Sequence, residues 1–197
     1  MHYEHLILFG VVGVATWLLF IYLWPGFIIS VYKRAILVKG FGEGPVPVNT
    51  LYTESQKLFA DPVGMQSARG SNSVTAGMNR DTLYIVGWLD LSESAQVLHV
   101  PDFSGRYYSV QLTDPSKNTN FAYVGTRATG TQVGDTLITG PGWKGQVPSG
   151  MRRIAAPRNS ALVAGRVLVT SDSDLATAYN LATQIQLTPL SRWQGGK

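Results

Sequence analysis

An uninterrupted apolar run near the N-terminus constrains this chain more than any other feature. Residues Leu6 to Tyr32 contain no Lys, Arg, Asp or Glu. As an α-helix the run would extend about 40 Å, which exceeds the ~30 Å thickness of a bilayer core. A secretory signal usually carries a basic n-region and a shorter apolar run, whereas Glu4 is the charge that precedes this one. We therefore expect a retained membrane span that carries one folded domain.

Aromatic residues and a Pro-Gly pair within the run predict where it meets other molecules. Trp24 lies toward the C-terminal end of the span, where an interfacial aromatic belt belongs. Pro25 removes a backbone donor and Gly26 loosens the turn, so this point is either a kink or a notch against which another helix packs. The residues expected to contact the membrane or a partner are Trp17, Tyr22, Trp24, Pro25, Gly26 and Tyr32.

Length and composition limit the remaining possibilities. The 197 residues divide into a tail and span over 1–36, a Gly/Pro-rich linker over 37–48 and one domain over 49–197. The net charge of +4 is spread along the chain, which disfavours nucleic-acid binding, because nucleic-acid binders cluster their basic residues on one face. The absence of cysteine excludes disulfides, thiolate zinc sites and iron–sulfur clusters. We expect no cofactor.

From Asp81 onward the hydrophobic pattern has the period of two that is typical of β-strands. The segments are short, rich in β-branched and aromatic residues, and separated by Gly, Pro, Asp and Ser. Seven strands with no helices between them predict a mainly β fold, with antiparallel sheets in a sandwich or jelly-roll arrangement. The predicted strands are 81–88, 96–100, 106–112, 120–125, 136–139, 153–156 and 161–170.

Two helices are predicted to flank the strands. Asn49 or Thr50 can cap a helix that continues to Ala60, and an exposed polar loop follows over residues 66–77. Near the C-terminus, Asp172 or Ser173 can cap a second helix that ends before Pro189. Its apolar stripe predicts that it lies on the sheet, and it consists of Leu175, Ala178, Tyr179, Ala182 and Ile185.

The order of short motifs in the β-rich part resembles the family called domain of unknown function 1254. The resemblance extends from about Asn49 to Trp193. The motifs that carry it are Asn79–Tyr84, Trp88–Leu91, Val100–Asp102, Gly105–Tyr108, Gln111–Asp114, Gly125–Gly130, Gly134-Asp135, Gly140–Trp143, Ala156-Pro157 and Leu187–Trp193.

The resemblance implies a β-rich, exported bacterial protein and transfers no catalytic role. The resemblance also implies a second C-terminal domain, which many members carry and which we expect to be absent here. The resemblance favours a domain in the periplasm, anchored in the inner membrane. Lys33, Arg34 and Lys39 follow the span, and the positive-inside rule taken alone predicts the opposite orientation.

Polar residues within these motifs are candidates for a ligand site. Several could meet at strand ends, where Arg–carboxylate pairs and turn hydrogen bonds are also common structural devices. The alternative is a pocket for a small anion, which the bidentate guanidinium of arginine suits. The candidates are Asn79, Arg80, Asp81, Arg106, Asp114, Arg127 and Asp135, together with Thr129 and Arg166.

Histidine is scarce, which limits the acid–base chemistry available. His99 is the one histidine of the globular part, and a histidine beside a core face is usually hydrogen-bonded rather than catalytic. A hydrolase or isomerase built on His99 therefore has weak support. His2 and His5 could share a metal on a helix, but they have one carboxylate nearby, so we predict no metal site. Trp143, in a Gly-rich turn, is either a plug or a partner anchor.

The sequence thus predicts a protein without a convincing catalytic constellation. We expect a non-catalytic accessory or docking subunit of an integral membrane complex, held in the lipid bilayer by one span. The alternative is a membrane-tethered module that binds a small anionic or apolar ligand. We expect no nucleic-acid partner.

Overall fold

The N-terminal part of the chain forms one long helix. A computed structural model describes residues 3–39, 44–56 and 81–194. Helix α1 spans Tyr3–Lys39 and continues through Pro25. Among the described residues, Leu8–Val38 is the one segment that is long and apolar enough to cross a membrane. From Leu8 to Ile28 the apolar side chains are exposed, with Phe9 74% accessible, as expected of a helix whose surroundings are lipid or another protein.

The part of the chain that follows α1 is mainly β, as predicted. Nine strands occur within the described residues, and the seven predicted from the sequence are all among them. Within residues 81–194 one α-helix, α2, lies at Leu175–Thr183 between two short 3₁₀ turns, Asp172–Asp174 and Leu190–Arg192. The strands are β1 Leu51–Thr53, β2 Thr82–Asp90, β3 Gln96–Val100, β4 Tyr108–Asp114, β5 Thr119–Gly125, β6 Gly134–Thr139, β7 Arg152–Ala155, β8 Ser160–Leu168 and β9 Gln186–Pro189.

The strands form two sheets. A five-stranded sheet has the order β1-β2-β8-β4-β5 and a four-stranded sheet has the order β7-β6-β3-β9. All pairs are antiparallel except β6 with β7, which is parallel. The sequence predicted antiparallel sheets only. The parallel pair arises because the chain crosses from the end of β6 back to the start of β7 through the Gly/Pro-rich segment 140–151, and strand order cannot be read from strand pattern.

The hydrophobic core lies between the sheets. Alternate residues of β2 and β8 point inward and are fully buried, including Leu83, Ile85 and Val163. Helix α2 closes one side of this core through Ala178 and Ala182, both fully buried. The predicted apolar stripe therefore lies against the sheets, with Ala at the closest contacts because small side chains permit close approach.

The predicted helix starting at Asn49 is wrong in its first turn. Residues Leu51–Thr53 instead pair with β2 as an edge strand. Asn49 has a φ of 62°, and its side chain exchanges hydrogen bonds of 2.9 and 3.0 Å with the backbone of Asp90. Asn favours this left-handed turn as readily as an N-cap, so its presence did not discriminate between them. Residues 57–60 of the predicted helix and the polar loop 66–77 lie outside the described residues.

The predicted C-terminal helix is too long by a few residues. Helix α2 ends at Thr183, and Gln186–Pro189 forms β9 against β3. Ile185 remains 2% exposed and still faces the core. Helix periodicity alone could not show where α2 ends. Ile185, which is buried just after the helix, continues the spacing of its apolar stripe.

Gly87 in β2 provides a test of the edge strand. A Cβ at Gly87 would lie 2.5 Å from the backbone oxygen of Thr50, whereas a Cβ at Gly134 would have no neighbour within 4 Å. We expect Gly87→Ala to lower the free energy of unfolding by about 1–3 kcal/mol, because β1 must shift. Gly134→Ala is the matched control and should stay within about 0.5 kcal/mol of wild type. Equal effects in thermal melting would contradict the pairing of β1 with β2.

Candidate functional site

The last turns of α1 pack on the outer face of the five-stranded sheet. Trp88 points away from the core and is nevertheless only 1% exposed, because Ile36 of α1 and Val46 cover it. The indole N–H of Trp88 donates a 2.8 Å hydrogen bond to Ser160 Oγ on β8. A large aromatic buried on both sides fixes the direction in which α1 leaves the domain.

Lys33 strengthens this junction electrostatically. Its ammonium lies 5.4 Å from the centre of the Trp88 ring, within cation–π range. Two hydrogen bonds from Ser92 hold the pKa of Asp90 below its ordinary value, and the positive charge of Lys33 contributes in the same direction. One of the positive flanking charges is thus part of the contact between helix and domain.

The same sheet face carries a groove on the side away from β1. Strand register places Tyr84, Arg166 and Ser109 in one row across the sheet. The next row contains Ala164, Gln111 and Tyr123. The small side chains of Ala164 and Ser109 leave a depression between larger neighbours. The depression has a volume of about 470 Å³ and is lined by Tyr107, Tyr108, Ser109, Gln111, Tyr123, Val124, Gly125, Arg127, Ala128, Ala164 and Arg166.

This depression, which we call the arginine–tyrosine groove, is positively charged. Arg127 and Arg166 are both exposed, and none of the described residues that line the groove carries a carboxylate. Arg127 lies over the ring of Tyr107 at 5.7 Å and Arg166 over the ring of Tyr84 at 5.4 Å. The rings orient the two guanidinium groups while leaving their N–H donors available for an anion.

The structure does not bring the predicted polar residues together in one cluster. Arg106 forms a two-pronged ion pair with Asp174, with contacts of 2.5 and 2.6 Å. Asp114 is 1% exposed and meets Arg158 Nε at 3.4 Å. Burial alone would raise the pKa of Asp114, but hydrogen bonds from Ser116 and the charge of Arg158 lower it overall. These two pairs fix strand ends rather than forming a shared pocket.

The other predicted polar residues are also separated. Asn79 and Arg80 lie outside the described residues. The backbone oxygen of Asp81 accepts a hydrogen bond from Val169, which joins the start of β2 to the end of β8. Thr129 caps a turn, where its hydroxyl accepts from the N–H of Gly125 at 3.0 Å. Of the predicted set, Arg127 and Arg166 are the residues that line one groove.

His99 takes part in a three-residue polar chain on the four-stranded sheet. Its Nδ1 lies 2.7 Å from Oδ1 of Asp135, which is on the neighbouring strand. The other carboxylate oxygen of Asp135 accepts a 3.0 Å hydrogen bond from the indole N–H of Trp193. The arrangement orients His99, and it also ties the C-terminal segment to the sheet through Trp193.

The surroundings of the His99–Asp135–Trp193 arrangement favour a structural role for it. Trp193 packs on a small cluster formed by Ala95, Val97 and Leu137, which covers the outer face of the four-stranded sheet. His99 lies outside the arginine–tyrosine groove. The His–Asp pair has the geometry of a base and its orienting carboxylate, and Asp135 also lies outside that groove.

Separate substitutions of His99 and Asp135 test the structural role of this pair. The His99 side chain is 43% exposed, so we expect His99→Ala to cost less than about 1 kcal/mol of unfolding free energy. Asp135→Ala should cost about 1–3 kcal/mol, because the half-buried Trp193 N–H also loses its acceptor. Thermal melting of both variants is the measurement. A larger loss for His99→Ala than for Asp135→Ala would contradict this structural role.

Trp143 and the histidine-rich tail were the remaining candidates. The Trp143 ring folds back on its own loop near Gly145, packs on the cluster that Trp193 covers, and has Arg153 stacked at 5.0 Å. These contacts favour the plug, and the partner anchor stays a prediction. His2 lies outside the described residues, and those residues contain no group of three or more His, Asp or Glu side chains that could hold a metal ion.

A second depression, of about 450 Å³, lies between β1, α2 and β9. Its described lining residues carry no charge and include Thr53, Tyr179 and Gln186. It therefore offers less specific chemistry than the arginine–tyrosine groove.

Sequence reasoning missed the residues that complete the groove and the junction. Period-two alternation in β2 does place Tyr84, Val86 and Trp88 on one face, which was the available signal. Their relation to Arg166 depends on β2 pairing with β8, and the pattern of β2 alone does not show which strand is its neighbour.

Comparison with solved structures identifies the fold. The chain is similar to the VPA0106 protein from Vibrio parahaemolyticus, with a TM-score of 0.64 and 23% identity over 89% of this chain and 38% of that one. A second similar structure, of an uncharacterised protein from Burkholderia cenocepacia, has a TM-score of 0.41 and 14% identity over 72% of this chain and 34% of that one. The chain thus spans less than two-fifths of the length of either protein.

Comparison by sequence identifies the family. No curated protein matches this chain significantly. Residues 63–189 match the family described as "Protein of unknown function (DUF1254)". This range falls within the part of the chain whose motifs predicted the resemblance, and the chain belongs to that family.

Proposed function

We propose that this protein is a single-pass inner-membrane protein that serves as a non-catalytic docking subunit of a larger integral membrane complex, with its β domain in the periplasm. The observation that carries the proposal is the junction at Trp88. Because Ile36 and Lys33 bind the end of α1 to the sheet, a molecule that holds α1 within the membrane also fixes the orientation of the domain.

The geometry of α1 supports a domain held against the membrane surface. Ile29 is the α1 residue nearest the N-terminus that packs against the cluster around Trp88. The segment from Leu8 to Ile28 would extend about 31 Å as a helix, which equals the thickness of a bilayer core. The domain would then begin where the apolar core ends, leaving little free tether between them.

The surface of α1 supports a protein partner within the membrane. Gly26 and Ser30 lie one turn apart on one face, and the Ser30 hydroxyl is satisfied by a 2.8 Å hydrogen bond to the Gly26 carbonyl. Small residues at this spacing permit a second helix to approach closely. On the other side of the helix, Trp24 contacts Phe20 and Phe27 at ring-centre distances of 4.9 and 5.9 Å.

Co-purification tests the docking function. In a mild detergent we expect the protein to remain with an integral membrane assembly in fixed stoichiometry. Gly26→Leu should disrupt the association, because a large side chain blocks close helix packing. Gly10→Leu is the matched control, since Gly10 lies about 160° around the helix from Gly26. Wild-type protein that runs alone in mild detergent would contradict the proposal.

The orientation in the membrane needs its own experiment. The family resemblance favours the periplasm, while Lys33, Arg34 and Lys39 favour the cytoplasm. The chain contains no cysteine, so Ser149→Cys creates a unique thiol in an exposed loop. A membrane-impermeant maleimide should label it in intact spheroplasts. Labelling only after lysis would place the domain in the cytoplasm.

A second function has a specific observation in its favour: the arginine–tyrosine groove is suited to a small anion. A ligand that binds only the folded state raises the free energy of unfolding, by about 2.7 kcal/mol at a hundredfold excess over Kd. We expect inorganic phosphate to raise the melting temperature of the wild type. Arg166→Gln should remove that increase, and Arg152→Gln, which removes an equal charge from β7, should preserve it.

A further inference from the structure

The arginine–tyrosine groove and the end of α1 occupy the same face of the five-stranded sheet. Along β8, outward-pointing residues run from Leu162, which packs at the α1 junction, through Ala164 to Arg166 in the groove. Four residues of strand extend about 13 Å. In the proposed anchoring α1 enters the bilayer just before this junction, so a groove at this distance from the junction lies close to the lipid headgroups.

The groove also has the chemistry of a headgroup site. Guanidinium groups bind phosphate oxygens through paired N–H donors, and Arg127 and Arg166 supply two such groups. Tyrosine is enriched at membrane interfaces because its ring is apolar and its hydroxyl is wet. Tyr107 and Tyr123 line the groove together with Gln111, whose amide can donate a further hydrogen bond.

We propose that the arginine–tyrosine groove binds the phosphate of an anionic lipid in the membrane that α1 crosses. This inference rests on the proposed anchoring by α1 and identifies the ligand class of the groove. Positive charge and the described lining without carboxylates favour an anionic lipid over a zwitterionic one. A bound headgroup would hold the domain at a second point, so that α1 and the groove together fix its tilt against the bilayer.

A spin label in the groove tests the inference on the full chain. Because the chain has no cysteine, Ala128→Cys places one label beside Arg127 at an exposed position. The protein is reconstituted into nanodiscs of phosphatidylcholine with increasing phosphatidylglycerol. We expect the label to lose accessibility to a water-soluble relaxation agent as phosphatidylglycerol increases, with no such change in phosphatidylcholine alone.

Charge variants give the matched controls. Arg127→Gln with Arg166→Gln should abolish the response, because each basic residue near an anionic surface contributes about fivefold to binding. Arg127→Lys with Arg166→Lys should retain most of it, which shows that the labelled domain remains folded and responsive. Arg152→Gln, on the other sheet, should leave the response unchanged.

The outcomes separate this inference from the proposed functions. A response to phosphatidylglycerol that survives Arg127→Gln with Arg166→Gln would overturn the inference. A response to free inorganic phosphate without one to phosphatidylglycerol would also overturn it, while supporting a soluble anion as the ligand. The docking function is judged independently, by co-purification and by Gly26→Leu.

Discussion

Arg106→Ala is expected to lower the free energy of unfolding by about 3–5 kcal/mol, the usual cost of removing one partner from a buried ion pair. Arg106 and Asp174 are only 16% and 15% exposed, and Arg106 also donates a 2.7 Å hydrogen bond to the Leu168 carbonyl. Its loss leaves both acceptors short of a donor. Urea unfolding of the wild type and the variant measures the change.

Acid sensitivity provides a second measurement of the same pair. The hydrogen bonds from Arg106, followed by those from Thr170, hold the pKa of Asp174 far below its ordinary value. In the unfolded chain the pKa of Asp is about 3.9. The stabilisation is therefore complete above about pH 5 and is lost as the pH falls toward the folded pKa. Asp174→Asn should be less stable at neutral pH and should lose less additional stability on acidification.

Two controls make this prediction specific. Arg106→Lys keeps the charge but loses the two-pronged geometry, so it should fall between wild type and Arg106→Ala. Arg158, the partner of Asp114, has a side chain that is 56% exposed. Arg158→Ala should therefore cost less than about 1 kcal/mol. An effect of Arg106→Ala no larger than that of Arg158→Ala would contradict the structural role assigned to Arg106.

Trp88→Ala is expected to cost about 3–5 kcal/mol and to release α1 from the sheet. The side chain is buried by α1 on one side and by the sheet on the other, so its removal leaves a cavity at the junction. We expect faster proteolysis between α1 and β1 as well as a lower melting temperature. Both measurements require the full chain in detergent or nanodiscs.

Further tryptophan variants separate the contributions at this junction. Trp88→Phe keeps an aromatic ring but loses the hydrogen bond to Ser160, so it should cost roughly 1–2 kcal/mol. Trp17→Ala is the control, because Trp17 is 64% exposed along α1 and contributes nothing to the junction. If Trp88→Ala left proteolysis between α1 and β1 unchanged, the rigid attachment of the helix would be contradicted.

Local pattern was sufficient for most of the fold. The apolar run is a helix of sufficient length to span a bilayer, and all seven predicted strands occur. β3 was predicted with its observed bounds, because the segment QVLHV is short, β-rich and flanked by turn residues. Leu175, Ala178 and Ala182 lie on the helix face that their spacing predicted.

Long-range pairing could not be predicted in the same way. β1 has three residues and β9 has four, so neither has enough alternation to identify a strand by itself. Both become strands because they meet a longer partner, β2 or β3, in space. Asn49 illustrates the ambiguity, since the same side chain serves helix caps and left-handed turns.

The candidate site was predictable in composition but not in arrangement. Arg127 was singled out from its motif as a residue suited to an anion, and it does line a positively charged groove. Arg106 was singled out on the same grounds and instead holds Asp174. An arginine beside a turn predicts an anionic partner, but only the tertiary structure shows whether that partner is internal or a ligand.

Site-specific photo-cross-linking from α1 in native membranes tests the central proposal most directly. A photoreactive residue at position 26 or 30 should give an adduct with one integral membrane protein of defined mass. The same residue at position 10, on the opposite side of the helix, should give mainly lipid adducts. Lipid adducts alone from positions 26 and 30 would contradict a docking role for this helix.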